Sequence, residues 1–146
     1  MDRKYGKAAA LASIRGESGS CIRGTVTFYL CGKGVLVDAD LFGMPETEWG
    51  FFGFHIHQGM SCTGPGFACT GTHLNSDNDS HPRHAGDLPP LLSCHGRVKQ
   101  SVLTDRFCLE EVLGKTVVIH RWPDDFCTQP SGNAGEKIAC GVIRKL

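Results

Sequence analysis

Six of the seven histidines in this 146-residue chain fall into three short groups, which is a pattern typical of metal binding. Imidazole nitrogen is a common ligand of zinc and copper, and a carboxylate oxygen can complete a zinc site. An aspartate stands among the histidines of the middle group. The residues are His55 and His57 in GFHIHQG, His73, His81, His84 and Asp87 in the segment 71–87, and His120 in TVVIHR.

The first pair is predicted to share one face of a strand. Side chains alternate along a strand, so His55 and His57 point to one side while Phe52, Phe54 and Ile56 point to the other. The apolar face belongs to the core, and the two imidazoles can then reach a single metal ion. A His-x-His pair alone is more often an ordinary surface feature, and only the other histidines favour a metal site.

The middle group has a spacing that a tight turn can bring together on one ion. His81, His84 and Asp87 follow the pattern His-x2-His-x2-Asp, and His73 precedes them. Three nitrogens and one carboxylate oxygen arranged as a tetrahedron suit Zn²⁺. We therefore expect a zinc site in this segment.

The elements that must position these residues are predicted to be strands. Nineteen glycines, seven prolines and short β-rich runs favour an all-β sandwich or barrel of about eight antiparallel strands. Segment 31–34 is a predicted hairpin turn, and 109–114 is a short helical turn. Residues 59–96 carry almost no strand signal and are expected to form a long metal-binding loop. The predicted strands are 8–16, 24–30, 34–43, 52–58, 97–104, 115–121 and 137–143.

Composition excludes several classes of function. The chain has 15 basic and 15 acidic residues, so its formal charge of +0 gives no general attraction to nucleic acid or to anionic membranes. No run approaches the roughly 20 apolar residues that cross a bilayer. We expect a single domain, residues 1–146, without a nucleic-acid or membrane partner.

The signals for compartment conflict. The first 16 residues begin with basic side chains, but their apolar run is short and lacks a convincing cleavage site, which predicts a cytoplasmic chain. Eight cysteines would instead suit an oxidising compartment, although none forms a C-x-x-C pair. A cytoplasmic location is predicted, and an extracytoplasmic one stays open.

From about residue 24 to residue 143 the chain resembles the copper–zinc superoxide dismutases. The resemblance rests on GFHIHQG, GTHLN, HAGDLPPL, TVVIHRWPDD and GNAGEKIACGVI, which occur in the order of that family. It implies a Greek-key β-sandwich or barrel. It also implies two metal sites that share His73, with copper bound by His55, His57, His73 and His120, and zinc bound by His73, His81, His84 and Asp87.

The resemblance implies two further features. Asp124 matches a carboxylate that lies behind the ligands and links a copper histidine to a zinc histidine, here His55 and His81; such an aspartate fixes ring orientations. Cys140 matches a cysteine whose disulfide partner lies in the loop after His57. Cys62 and Cys69 are both candidates, and the Ser-Cys-Thr-Gly setting favours Cys62.

The chain departs from the family in two loops and at one cation. Only two residues separate His81 from His84, and the segment 124–132 is too short for the family's usual charged element. Lys137 stands where the family typically has an arginine beside copper. Catalytic roles therefore fall to His73, for proton delivery, and to Lys137, for guiding the anion. We expect zinc retention and anion guidance to be weaker than is usual.

The predicted function is an oxidoreductase that converts superoxide into dioxygen and hydrogen peroxide by copper redox cycling. The alternative is a non-catalytic copper-binding module, such as a metal store or a chaperone-like domain. A purely structural zinc domain would leave His55, His57 and His120 without a role. The sequence leaves both a monomer and a homodimer open.

Overall fold

A computed structural model describes residues 5–146, and eight antiparallel strands form its framework. Helical structure within it is limited to α1, Leu109–Val112, and a 3₁₀ segment, Pro65–Thr70. No helix in the described range is long and apolar enough to cross a membrane. The strands are β1 Ala8–Gly16, β2 Arg23–Cys31, β3 Gly34–Phe42, β4 Phe51–His57, β5 Asp87–Leu92, β6 Val98–Thr104, β7 Thr116–His120 and β8 Lys137–Lys145.

The strands form one sheet that curls into a nearly closed barrel, in the order β5-β4-β7-β8-β1-β2-β3-β6. The Gln100 side chain bridges the two end strands. It accepts a hydrogen bond from the Leu92 N–H and donates one to the Pro90 carbonyl, both at 3.0 Å. The connections β3–β4 and β6–β7 join strands that are not neighbours, as in a Greek key. The all-β prediction is confirmed, with the 31–34 hairpin and the helical turn in place.

Strand β5 corrects the sequence-based prediction that residues 59–96 form one long loop. Pro89 and Pro90 lie inside this strand and obscured its signal, because proline cannot donate a hydrogen bond to a neighbouring strand. An end strand tolerates them. β5 pairs along its length with β4 alone, and Gln100 makes the contact on its other side.

Strand β4 shows the predicted alternation. Phe52, Phe54 and Ile56 belong to the main core, and His55 and His57 lie on the opposite face. Both histidines are nevertheless almost completely buried, at 0% and 2% exposure. The reason is that the long segment after β4 folds back over the outside of the barrel.

A disulfide holds that segment against the barrel. Cys62 is bonded to Cys140 on β8, and the pair packs with Phe67 and Val118 in a small apolar cluster outside the main core. The preference for Cys62 is confirmed, because Cys69 is an exposed free thiol. The covering segment is therefore tied to the sheet next to the strand that carries His120.

Candidate metal centre

Neighbouring strands place three histidines side by side on the outer face of the barrel. His55 and His57 come from β4, and His120 closes β7, where it pairs with Gly53 of β4. A Cβ atom at position 53 would lie 3.0 Å from the His120 Cβ and 2.8 Å from the Ala134 Cβ, so glycine is needed for this close approach. His57 Nε2 and His120 Nε2 come within 3.2 Å of each other.

His73 lies between two groups of possible ligands. It forms a β-bridge with His57, which brings its ring against the strand histidines. Its Nδ1 faces Asp87 Oδ1 at 2.7 Å and His84 Nδ1 at 3.4 Å, whereas its Nε2 is buried without a hydrogen-bond partner. We call His55, His57, His73 and His120 the four-histidine group, and His73, His81, His84 and Asp87 the histidine–aspartate group.

The histidine–aspartate group has the spacing of a tetrahedral zinc site. Donors bound about 2.0–2.1 Å from one tetrahedral ion lie about 3.3–3.4 Å apart. The His81 and His84 Nδ1 atoms lie 3.1 and 3.2 Å from Asp87 Oδ2, and two Nδ1 atoms of the group are 3.4 Å apart. All four side chains are buried. The donor set and its spacing both fit Zn²⁺.

Asp124 fixes the proton positions of two histidines. Its carboxylate accepts hydrogen bonds from His55 Nε2 at 2.8 Å, from His81 Nε2 at 2.7 Å and from the Phe126 N–H at 2.7 Å. Protons on both Nε2 atoms leave lone pairs on both Nδ1 atoms. These Nδ1 atoms are buried and have no hydrogen-bond partner, which is a costly arrangement unless a cation binds there.

Backbone carbonyls orient the other two histidines of the four-histidine group. His57 Nδ1 donates to the Gly71 carbonyl at 2.8 Å, and His120 Nδ1 donates to the Gly135 carbonyl at 3.2 Å. Each Nε2 is then an unprotonated acceptor, and the two lone pairs face each other. Four imidazole nitrogens without protons converge here, and such a set suits copper.

Burial keeps these imidazoles neutral. It lowers the pKa of His57 to about 2 and of His120 to about 3, and it lowers the pKa of His55. Burial alone would raise the pKa of Asp124, but hydrogen bonds from His55 and His81 outweigh it and lower the pKa below its usual value. His55, His57 and His120 are thus neutral, which is the form that binds metals, and Asp124 stays a charged acceptor for its hydrogen bonds from His55 and His81.

A cavity of about 370 Å³ opens onto the four-histidine group and includes Lys137 in its lining. The Lys137 ammonium donates to Thr70 Oγ1 at 2.8 Å and to the Gly71 carbonyl at 3.0 Å. Burial lowers the pKa of this lysine. Arg121, in contrast, contacts Glu136 and the Trp122 ring, so Lys137 is the cation beside the cavity.

The structure brings together every residue that the sequence predicted for the site and leaves His95 outside it. Sequence reasoning missed the carbonyls of Gly71 and Gly135, and it missed Arg106 and Gln129, which contact the backbone of the segment 81–84. It also missed Gly132. A Cβ atom there would lie 2.0 Å from Asp124 Oδ1, and the glycines of PSGNAG were the only signal.

Comparison with known proteins gives the family. The family model for copper/zinc superoxide dismutase (SODC) matches residues 22–143. The chain is 35% identical over 127 residues to "Superoxide dismutase [Cu-Zn] 2" of Aquifex aeolicus, covering 77% of this chain and 73% of that protein. It is 32% identical over 160 residues to "Superoxide dismutase [Cu-Zn] 3" of Arabidopsis thaliana, covering 98% and 94%. It is 34% identical over 140 residues to "Extracellular superoxide dismutase [Cu-Zn]" of Drosophila melanogaster, covering 84% and 75%.

The fold is a β-barrel that carries two adjoining groups of possible metal ligands. The chain belongs to the copper/zinc superoxide dismutase family. This membership confirms the predicted enzyme class and the predicted metals, copper and zinc. The role of each individual residue remains a prediction.

Proposed function

We propose that the four-histidine group binds copper, that the histidine–aspartate group binds zinc, and that the protein dismutates superoxide at this centre. The observation that carries the proposal is the set of buried lone pairs. His55 Nδ1, His73 Nε2 and His81 Nδ1 are all buried without a hydrogen-bond partner; His55 belongs to the first group, His81 to the second and His73 to both. Metal binding would satisfy all three atoms.

When bound, copper supplies the one-electron chemistry that converts two superoxide ions and two protons into dioxygen and hydrogen peroxide. His73 is the catalytic residue that handles a proton. Its buried Nε2 belongs to the four-histidine group and the residue lines the cavity, so whenever this nitrogen is not bound to metal it can hold a proton and then release it to the reduced product. Its Nδ1 lies beside Asp87 in the histidine–aspartate group, where it would bind zinc.

Lys137 guides the substrate. Its ammonium lies in the cavity wall beside His57 and His120, and a cation in that position attracts a small anion. A lysine offers a point charge without the planar fork of arginine, so it attracts superoxide but orients it less firmly. Thr70 and Gly71 hold the ammonium at the rim.

The test is an assay of superoxide consumption by metal-free protein, by protein loaded with zinc alone and by protein loaded with both metals. We expect rapid superoxide loss only when copper is present. A protein that binds both metals without accelerating superoxide loss would instead be a non-catalytic copper-binding module. A protein that binds zinc but no copper would be a purely structural zinc domain.

We also propose a cytoplasmic location and a monomer or homodimer. Six of the eight cysteines are exposed free thiols, and such thiols persist best in a reducing compartment. The relatives include bacterial and extracellular proteins, so family membership does not fix the compartment. Fractionation of cells and light scattering of the purified protein test these two proposals.

A further inference from the structure

The backbone of His81 is held from outside the metal centre by one side chain. Gln129 Oε1 accepts a hydrogen bond from the His81 N–H at 2.9 Å, and Gln129 Nε2 donates one to the His81 carbonyl at 2.7 Å. Asp124 holds the Nε2 atom of the same residue. Every polar group of His81 except Nδ1 is therefore satisfied, and Nδ1 is left aimed at the position proposed for zinc.

A second side chain reaches the same segment from the other side. Arg106, just after β6, donates through Nη1 to the Pro82 carbonyl at 2.6 Å and reaches the His84 carbonyl at 3.5 Å. These carbonyls flank Arg83 in the short link between His81 and His84. Asp87 accepts a hydrogen bond from the His84 N–H at 3.0 Å, so the link is anchored at both ends.

Gln129 is itself placed by a turn whose hydrogen bonds involve none of the proposed metal ligands. The Asp125 carboxylate accepts hydrogen bonds from the Cys127 N–H at 2.9 Å, from the Thr128 N–H at 2.8 Å and from the Thr128 hydroxyl. These bonds lower the pKa of Asp125. Gly132 closes the turn through backbone hydrogen bonds to Asp125 and Thr128. The segment 124–132 therefore holds Gln129 ready to contact His81.

We propose that Arg106 and Gln129 form a zinc-loop clamp that positions His81 and His84 and sets the rate at which zinc leaves. The inference rests on the proposed zinc site. Their contacts with the proposed ligands and with the link between them are to backbone atoms, so they are positioning residues. In this view the short segment 124–132 acts as a brace for the zinc loop, residues 73–87, in which only two residues join His81 to His84.

The clamp should matter because zinc release requires a ligand to swing away. For His81 to move, both hydrogen bonds to Gln129 must break, and movement of the link must break the contacts to Arg106. Groups that orient metal ligands typically contribute about 10- to 100-fold to metal affinity. Because the two clamp residues are exposed to solvent, we expect the lower end of that range for each.

The experiment compares zinc release from copper- and zinc-loaded wild type, Arg106→Met and Gln129→Met. Arg83→Met is the matched control: it removes a positive charge from the link itself, and Arg83 is exposed with no side-chain hydrogen bond or ion pair found in the described part of the chain. Each protein is mixed with an excess of a chromogenic zinc chelator, and copper retention is followed in the same sample. The midpoint of urea unfolding of each metal-free protein reports global folding.

We expect zinc to leave about tenfold faster from Arg106→Met and from Gln129→Met, and about 100-fold faster from the double variant. Copper retention, the urea midpoint and the Arg83→Met rate should match wild type. Arg106→Lys, which keeps a cationic donor, should recover most of the slow release. The absorption bands of cobalt(II) placed in the zinc site should shift in the two methionine variants and not in Arg83→Met.

Zinc release at the wild-type rate from both methionine variants overturns the clamp. Loss of both metals together with a lowered urea midpoint also overturns the clamp, because Arg106 and Gln129 would then stabilise the fold in general and not the zinc loop in particular. If Arg106→Met does not fold, Arg106→Lys and Gln129→Met decide the question by the same rates. If wild-type protein takes up no zinc, the proposed zinc site is refuted. If wild-type protein binds zinc and the variants release it at the same rate, only the clamp is refuted.

Discussion

Reversing the charge of Lys137 should slow superoxide consumption by an amount that the geometry allows us to estimate. The Lys137 ammonium and His57 Nδ1 both donate to the Gly71 carbonyl oxygen, at 3.0 and 2.8 Å. The two nitrogens are therefore at most 5.8 Å apart, the sum of these distances. His57 Nε2 lies across the ring, so an anion beside it is on the order of 7 Å from the lysine charge.

At about 7 Å in water, one unit charge attracts an anion by about 0.6 kcal/mol, and reversal of that charge changes the energy by about 1.2 kcal/mol. This corresponds to about a sevenfold slower second-order rate for Lys137→Glu at low ionic strength. At physiological ionic strength the Debye length is about 8 Å, and screening reduces the effect to about twofold. Lys137→Arg keeps the charge and should keep both the rate and its decline with salt.

The assay is the second-order rate of superoxide loss at full copper occupancy, measured over a range of salt concentrations. Lys145→Glu is the matched control. It makes the same change of net charge on the same strand, eight residues along and therefore about 26 Å away. Its rate should stay within twofold of wild type. If Lys137→Glu matches Lys145→Glu at every salt concentration, Lys137 does not guide the anion.

Further predictions concern the ligands and their support. His73→Ala should weaken both copper and zinc, whereas His120→Ala should spare zinc, because only His73 belongs to both groups; equal zinc loss in the two variants would refute the shared ligand. Gly132→Ala should lower zinc affinity at least tenfold in a competition titration, because the new Cβ would press on Asp124; unchanged affinity would show that the contact is unimportant. As the pH falls from about 6 to about 4, metal-free protein should lose about 1.4 kcal/mol of unfolding free energy per pH unit for each of His57 and His120. The pKa values of both histidines are lowered in the folded protein, so in this range protons bind to them only after unfolding. Urea midpoints that stay constant over this range would contradict the lowered pKa values. Zinc should leave before copper in a chelator titration, because none of the zinc ligands lies in a central strand whereas His55, His57 and His120 lie on β4 and β7; copper leaving first would count against this.

The sequence predicted the parts of the fold that depend on local pattern. Alternation along β4 placed His55 and His57 away from the core, and hydrophobic runs with turn residues located seven of the eight strands. Strand β5 was not predicted, because a strand with two prolines is tolerated only at the end of a sheet, and that position is defined only by the assembled barrel. The disulfide partner of Cys140 was narrowed to two cysteines, and the fold selected Cys62.

The supporting contacts of the centre could not be predicted in the same way. Gln129 contacts a residue 48 positions away, and Arg106 contacts one 24 positions away. Both are polar residues in exposed loops. The local sequence of such a loop does not distinguish a polar side chain that is solvated from one that is hydrogen-bonded to a distant carbonyl. The histidines and aspartates of the site, in contrast, could be predicted as metal ligands or their partners from residue type and spacing.

The measurement that tests the account most directly is anomalous X-ray diffraction, at the copper and zinc absorption edges, from crystals of the fully loaded protein. Two ions should lie on opposite sides of the His73 imidazole ring. Copper should lie about 2 Å from His73 Nε2, and zinc should lie about 2 Å from His73 Nδ1, with Asp87 among the zinc ligands. A single ion, or two ions of which only one contacts His73, would contradict the proposed shared centre.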